Sequence, residues 1–167
     1  MLALQITSLK TFMSAMLTGE LFDSFLLQEA SITTAASYTI DGRVNKAFFP
    51  PEERDDTELH PYEFALWKDM KSTCYDLIKG KYTPTHFHFV LQLAPTHTAS
   101  ILEKGGSPVS PDFIKAFVLN IRFDGEKVLL YTGIAYTTFL TDKEPERLWD
   151  AAIKQFLYKK GIACEEL

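Results

Sequence analysis

The sequence predicts a single α+β domain in which a mostly antiparallel sheet has its apolar face covered by helices. Three observations carry that reading. Apolar and polar residues alternate in several short stretches, as in strands with one buried face. Between them lie segments whose apolar residues repeat at helical spacing. The length, 167 residues, is too short for two ordinary domains and long enough for one good core.

The elements follow in chain order. Leu2, Leu4 and Ile6 alternate and predict a strand. Leu9, Phe12, Met13, Met16 and Leu17 fall on one helical stripe. Phe25 to Thr34 is rich in apolar and β-branched residues and reads as a strand. Tyr38 to Val44 is a further strand signal, interrupted by Asp41-Gly42, a favoured turn dipeptide. Residues 47–61 hold Pro50, Pro51 and Pro61 with the acidic cluster Glu52, Glu53, Asp55, Asp56 and Glu58, and predict an exposed loop.

Tyr62 to Lys79 predicts a second helix, with Phe64, Trp67, Met70, Cys74, Leu77 and Ile78 near one face. His86 to Leu93 divides sharply, with Phe87, Phe89, Leu91 and Leu93 on one face and His86, His88, Val90 and Gln92 on the other. Thr96 to Lys104 reads as a short helix stopped by Gly105-Gly106. Phe117 to Thr132 predicts a hairpin around Asp124-Gly125. A two-residue turn there pairs Ile121 with Val128 and Leu119 with Leu130 on an apolar face. It pairs Arg122 with Lys127, Asn120 with Leu129 and Val118 with Tyr131 on a mixed one. Ile134 to Leu140 predicts another strand. The last helix runs from about Pro145 to Lys160, with Leu148, Trp149, Ile153, Phe156 and Leu157 in its stripe and Gly161 as its cap.

The order contains a candidate β-α-β-β pseudo-repeat. Leu4-Gln5-Ile6 and Phe25-Leu26-Leu27 stand in the same relative places as Leu91-Gln92-Leu93 and Phe117-Val118-Leu119. That order resembles the DNA-sliding-clamp fold. Clamps line DNA with basic helix faces, whereas the first helix here offers Lys10 and the third Lys104, so DNA encirclement does not follow from the resemblance.

Charge narrows the function. The 17 Lys and Arg against 22 Asp and Glu leave a net charge of −5, which argues against a general binder of nucleic acid or anionic membrane. Met1 to Leu17 lacks a basic leader, and no apolar run is long enough to span a bilayer. Cys74 and Cys164 fit no zinc spacing, and two unrelated thiols suit a reducing cytoplasm.

No catalytic or cofactor-binding constellation stands out, and no metal or cofactor is called for. There is no phosphate-cradling Gly-rich loop, no nucleophile elbow and no HExxH. His86 and His88, two apart on a strand, point the same way and are the only metal-like pair, but they lack a third ligand. Cys74, among helical apolar neighbours, reads as a core residue rather than a nucleophile. Lys71, Lys79 and Lys81 form a basic corner. Lys79 and Lys81 with Arg122, Lys127 and Tyr131 are the candidate interaction surface.

Leu4-Gln5-Ile6, Glu29-Ala30-Ser31-Ile32-Thr33-Thr34, Thr39-Ile40-Asp41-Gly42-Arg43, Leu77-Ile78-Lys79-Gly80-Lys81 and Leu119-Asn120-Ile121-Arg122-Phe123-Asp124-Gly125 together carry a family resemblance. Over nearly its full length the chain resembles a family of small uncharacterised proteins (a domain of unknown function) from clostridia and related Gram-positive gut bacteria. The resemblance implies a bacterial cytoplasmic protein and brings no activity, cofactor or site residue. The residues themselves favour a non-catalytic binding or scaffolding protein with a protein partner. A small enzyme or ligand-binding protein with a pocket built from scattered residues is the alternative, and a nucleic-acid accessory role the third. Oligomeric state is left open.

Overall fold

Alternation puts every second residue of a strand on one side of a sheet, and each such side must be buried or solvated. In the computed structural model, which describes residues 1–167, one side is buried beneath all four helices. The elements are β1 (Ala3–Ile6), α1 (Leu9–Leu17), β2 (Phe25–Thr33), β3 (Ser37–Asp41), β4 (Ala65–Leu66), α2 (Trp67–Ile78), β5 (His86–Leu93), α3 (Thr98–Lys104), β6 (Ile114–Phe123), β7 (Val128–Tyr136), α4 (Glu144–Lys159) and β8 (Cys164–Glu166). The strands run β3-β2-β5-β6-β7-β1-β8, every neighbouring pair antiparallel, and β4 pairs with the same edge of β2 as β3. The α+β expectation therefore holds.

The two candidate repeat units share element order but not pairing. β5 and β6 are hydrogen-bonded neighbours, whereas β5, β6 and β7 all lie between β1 and β2. α1 thus carries the chain across the sheet, while α3 returns it to the adjoining strand.

Local chemistry explains where the elements depart from the sequence pattern. The hairpin pairs Phe123 with Val128, Arg122 with Leu129 and Ile121 with Leu130, leaving a connection over residues 124–127 instead of a two-residue turn. Asp124 is the cause. Its Oδ1 accepts the backbone N–H groups of Lys127 at 2.8 Å and Glu126 at 2.9 Å, closing the wider loop. Those two bonds also hold its exposed carboxyl below the ordinary value. The register moves by two residues, so the apolar and mixed faces survive the correction. β7 then continues unbroken to Tyr136, so Ile134 to Leu140 forms no separate strand.

α2 begins at Trp67 rather than Tyr62, because residues 64–66 are held extended, Phe64 against Arg43 and Ala65–Leu66 against β2. Gly42 is not the second residue of a hairpin turn. Its N–H donates to Gln28 O at 2.9 Å and its carbonyl accepts from Ala65 N–H at 2.8 Å, so it passes directly over the β2 backbone. At the other end of the chain, Gly161 has φ +70 and closes α4 as a C′ residue. The Ile162 N–H bonds to Leu157 O, and Ile162 is itself buried.

The core is one cluster of 30 buried residues. Phe87, Phe89, Leu91 and Leu93 of β5 belong to it, with Phe117, Leu119, Ile121 and Phe123 of β6. Each tryptophan packs its rings and satisfies its one donor. Trp67 Nε1–H bonds to Met16 O at 3.1 Å, and Trp149 Nε1–H to Val118 O at 2.9 Å.

Residues 50–58 add little to this core. All but Glu53 are exposed, and the side-chain hydrogen bonds are local, Arg54 to Phe49 O and Glu58 N–H to Asp56. Replacing Pro50 to Glu58 by a short Gly/Ser linker is expected to shift the thermal midpoint by less than about 4 °C. Loss of soluble protein would show that the segment is structural.

Candidate functional site

None of the four helices covers the other face of the sheet, although Leu26, which faces that side opposite Gln92, is buried. Register builds it. Thr39, Ser31, His88, Arg122, Leu129, Gln5 and Glu165 stand opposite one another in a row across seven strands. The next row runs Asp41, Glu29, Val90, Asn120, Tyr131 and Ala3. Glu29 is thus exposed on this face.

One end of the face dips into an open groove of about 420 Å³. Ser31, His86, His88, Arg122, Lys127 and Tyr131 line it, together with Leu129 and the Asp124 carboxylate. Arg122 and Lys127 make no ion pair. His88 Nε2 lies 3.0 Å from Asn120 Oδ1, and since an amide oxygen only accepts, the imidazole donates.

Of the residues singled out by sequence, the structure brings together Arg122, Lys127, Tyr131, His86 and His88. Lys79 and Lys81 do not join them. Lys79 lines a different cleft, between α1 and α2, and its Nζ is 3.1 Å from Asp76. Lys71 leaves the basic corner altogether: its Nζ donates to Gly19 O at 2.6 Å and to Asp23 Oδ1 at 2.7 Å, tying α2 to the segment after α1. Ser31 was missed, although its signal was present in the alternation of β2. Only the β2–β5 register places it beside His88.

His86 and His88 share a face with Arg122 and Lys127, two cations that repel a metal ion. No group of three or more His, Cys, Asp or Glu is placed to hold one. Cys74 is fully buried, and desolvation pushes its thiol up to about 12. Burial also raises Cys164, opposed by the nearby Lys154 charge.

The raised Cys74 value has a definite sign in stability. The unfolded thiol ionises near its ordinary 9.0 and the folded one near 12, so stability present below pH 9 is lost as pH rises between those values. The urea midpoint of the wild-type protein is expected to fall more steeply above pH 9 than that of Cys74→Ala. Equal slopes would mean that the thiol is not held neutral by the fold.

A family model described as a family of unknown function (DUF5721) matches residues 15–165, from within α1 to β8. No curated protein and no solved structure matches the chain. No helix is long and apolar enough to cross a membrane.

Proposed function

We propose that this chain, which belongs to the DUF5721 family of unknown function, is a non-catalytic binding protein of the bacterial cytoplasm that docks a partner protein on the open face of its sheet. One observation carries the reading: four helices cover one side of the sheet, and the other is left as a broad surface of mixed chemistry. Half-buried Val90, Val118, Leu129 and Tyr131 alternate there with Arg122, His86 and His88. Tyrosine and arginine amid aliphatic groups are the composition of protein interfaces. The unpaired Arg122 and Lys127, on a chain of net charge −5, favour a partner surface bearing carboxylates. Cys74 and Cys164 are free thiols, which suits a reducing compartment.

The test is site-specific photo-crosslinking in cells. A crosslinker at Val90 should capture a discrete partner, and one at the exposed Tyr158 of α4 should not. Arg122→Glu with Tyr131→Ala should abolish the capture while leaving the thermal midpoint unchanged. Capture from Tyr158 alone would move the interface to the helices. A salt-dependent thermal shift with oligonucleotides would replace the protein partner by nucleic acid.

A further inference from the structure

We propose that the cleft between α1 and α2, on the helical side of the sheet, binds a single free amphiphile with an apolar chain and an anionic head group, such as a carboxylate-headed acyl chain. The cleft measures about 410 Å³, within the usual size of small-molecule sites, roughly 300–1,000 Å³. Its floor is apolar: Leu9, Met13, Leu17, Ile78, Phe87 and Phe123. Leu17, Phe87 and Phe123 belong to the buried core and hold the floor in place, while Met13 is a flexible thioether that adapts to a chain.

The rim has the opposite character. Ser14, Tyr75, Tyr82 and Thr83 offer hydroxyls and Lys79 an ammonium, the Thr18 hydroxyl donates to Ser14 O at 2.8 Å, and no carboxylate lines the cleft. Lys81, two residues on, makes no ion pair, and its Nζ lies 5.5 Å from the Tyr82 ring centre. The Lys79 ammonium lies 5.6 Å from the Tyr75 ring centre and meets Asp76, whose carboxylate is solvent-exposed outside the cleft. An apolar floor under a rim of donors and positive charge selects an apolar tail and a negatively charged head. The cleft lies on the opposite side of the sheet from the proposed docking face, so this inference stands apart from that one.

The experiment is a titration of sub-micellar dodecanoate into the full chain, followed by methyl NMR of Met13 and Ile78. The expected result is saturable one-to-one binding that shifts both methyls. Dodecyltrimethylammonium should bind more weakly than dodecanoate by roughly fivefold or more. Lys79→Gln with Lys81→Gln should weaken dodecanoate by roughly fivefold and leave dodecanol unchanged. Met13→Trp, which fills the cleft, should abolish binding of both, with circular dichroism reporting the fold. Should that variant unfold, Thr18→Trp at the exposed rim serves the same end. No saturation at millimolar dodecanoate, equal affinity for the cationic probe, or undiminished binding in the filled variants would each overturn the proposal. So would binding confined to phosphatidylglycerol vesicles.

Discussion

Trp149→Ala is expected to unfold most of the protein under conditions where the wild type is folded. Its side chain is 2 % exposed, stacked on Phe117 at 5.1 Å with the planes 23° apart, and tilted against Phe25 at 6.4 Å. Truncating a buried tryptophan costs about 3–5 kcal/mol through lost transfer energy and the cavity left behind. That is a large share of the 5–15 kcal/mol that holds a domain together. The position also joins two layers, because the indole N–H of α4 bonds to the backbone of β6. Trp149→Phe should separate the contributions, keeping a ring on Phe117 and losing the hydrogen bond, worth about 1 kcal/mol. Urea midpoints of the three proteins make the comparison. A soluble Trp149→Ala monomer with wild-type stability would show that the α4 stripe is an exposed docking surface.

Gly42→Ala should be nearly as damaging, for a different reason. A methyl group there would fall 1.7 Å from Leu27 O and 2.7 Å from Leu27 C. Both are backbone atoms of β2, at the point where the β2–β5 register slips between Leu27 and Glu29. No side-chain rotation relieves such a contact, so the chain must move. The expected cost is at the upper end of overpacking effects, about 3 kcal/mol. The N–H bond to Gln28 O and the bond from Ala65 would weaken together, loosening β3 and β4 at the edge of the sheet. Gly133→Ala is the control. Its nearest neighbour would be Val118 Cβ at 3.9 Å, an ordinary contact, so its midpoint should match that of the wild type. Amide exchange would show faster protection loss in β3 and β4 for Gly42→Ala alone. Unchanged exchange there would mean that the backbone crossing is looser than this geometry implies.

Much of the secondary structure was legible. The alternation from His86 to Leu93 coincides with β5, and the stripe from Leu148 to Leu157 lies within α4. Such periods depend on a few neighbouring residues and one buried side. β4 and β8, of two and three residues, are too short to show any period. They exist because β2 and β1 offer them partners. The hairpin register needed the Asp124 side chain as well as the Asp-Gly pair, and that contact outweighed the tight turn.

The candidate sites were legible only in part. His88, Arg122 and Tyr131 stood out as polar or aromatic residues on a mixed face, but their grouping with Ser31 and Leu129 follows from strand pairing. Lys79 and Lys81 fit the same charge pattern, yet Lys79 lines the α1–α2 cleft and Lys81 stands beside Tyr82 of its rim, apart from the groove that holds Arg122. The cleft itself is formed by residues from both helices and from β5 and β6, and no spacing along the chain announces it.

By itself the sequence determined the fold class, the faces of the long strands and the stripes of the helices. Each is a local period of hydrophobicity that survives even a two-residue error in register. Tertiary structure alone decided that α1 crosses three strands, that one sheet face stays open, and that two lysines near in charge pattern part company with an arginine. Those outcomes depend on which strand each strand pairs with. Pairing is a contest among distant segments for the same backbone donors and acceptors, and it is settled only when the whole sheet and its helical layer assemble together.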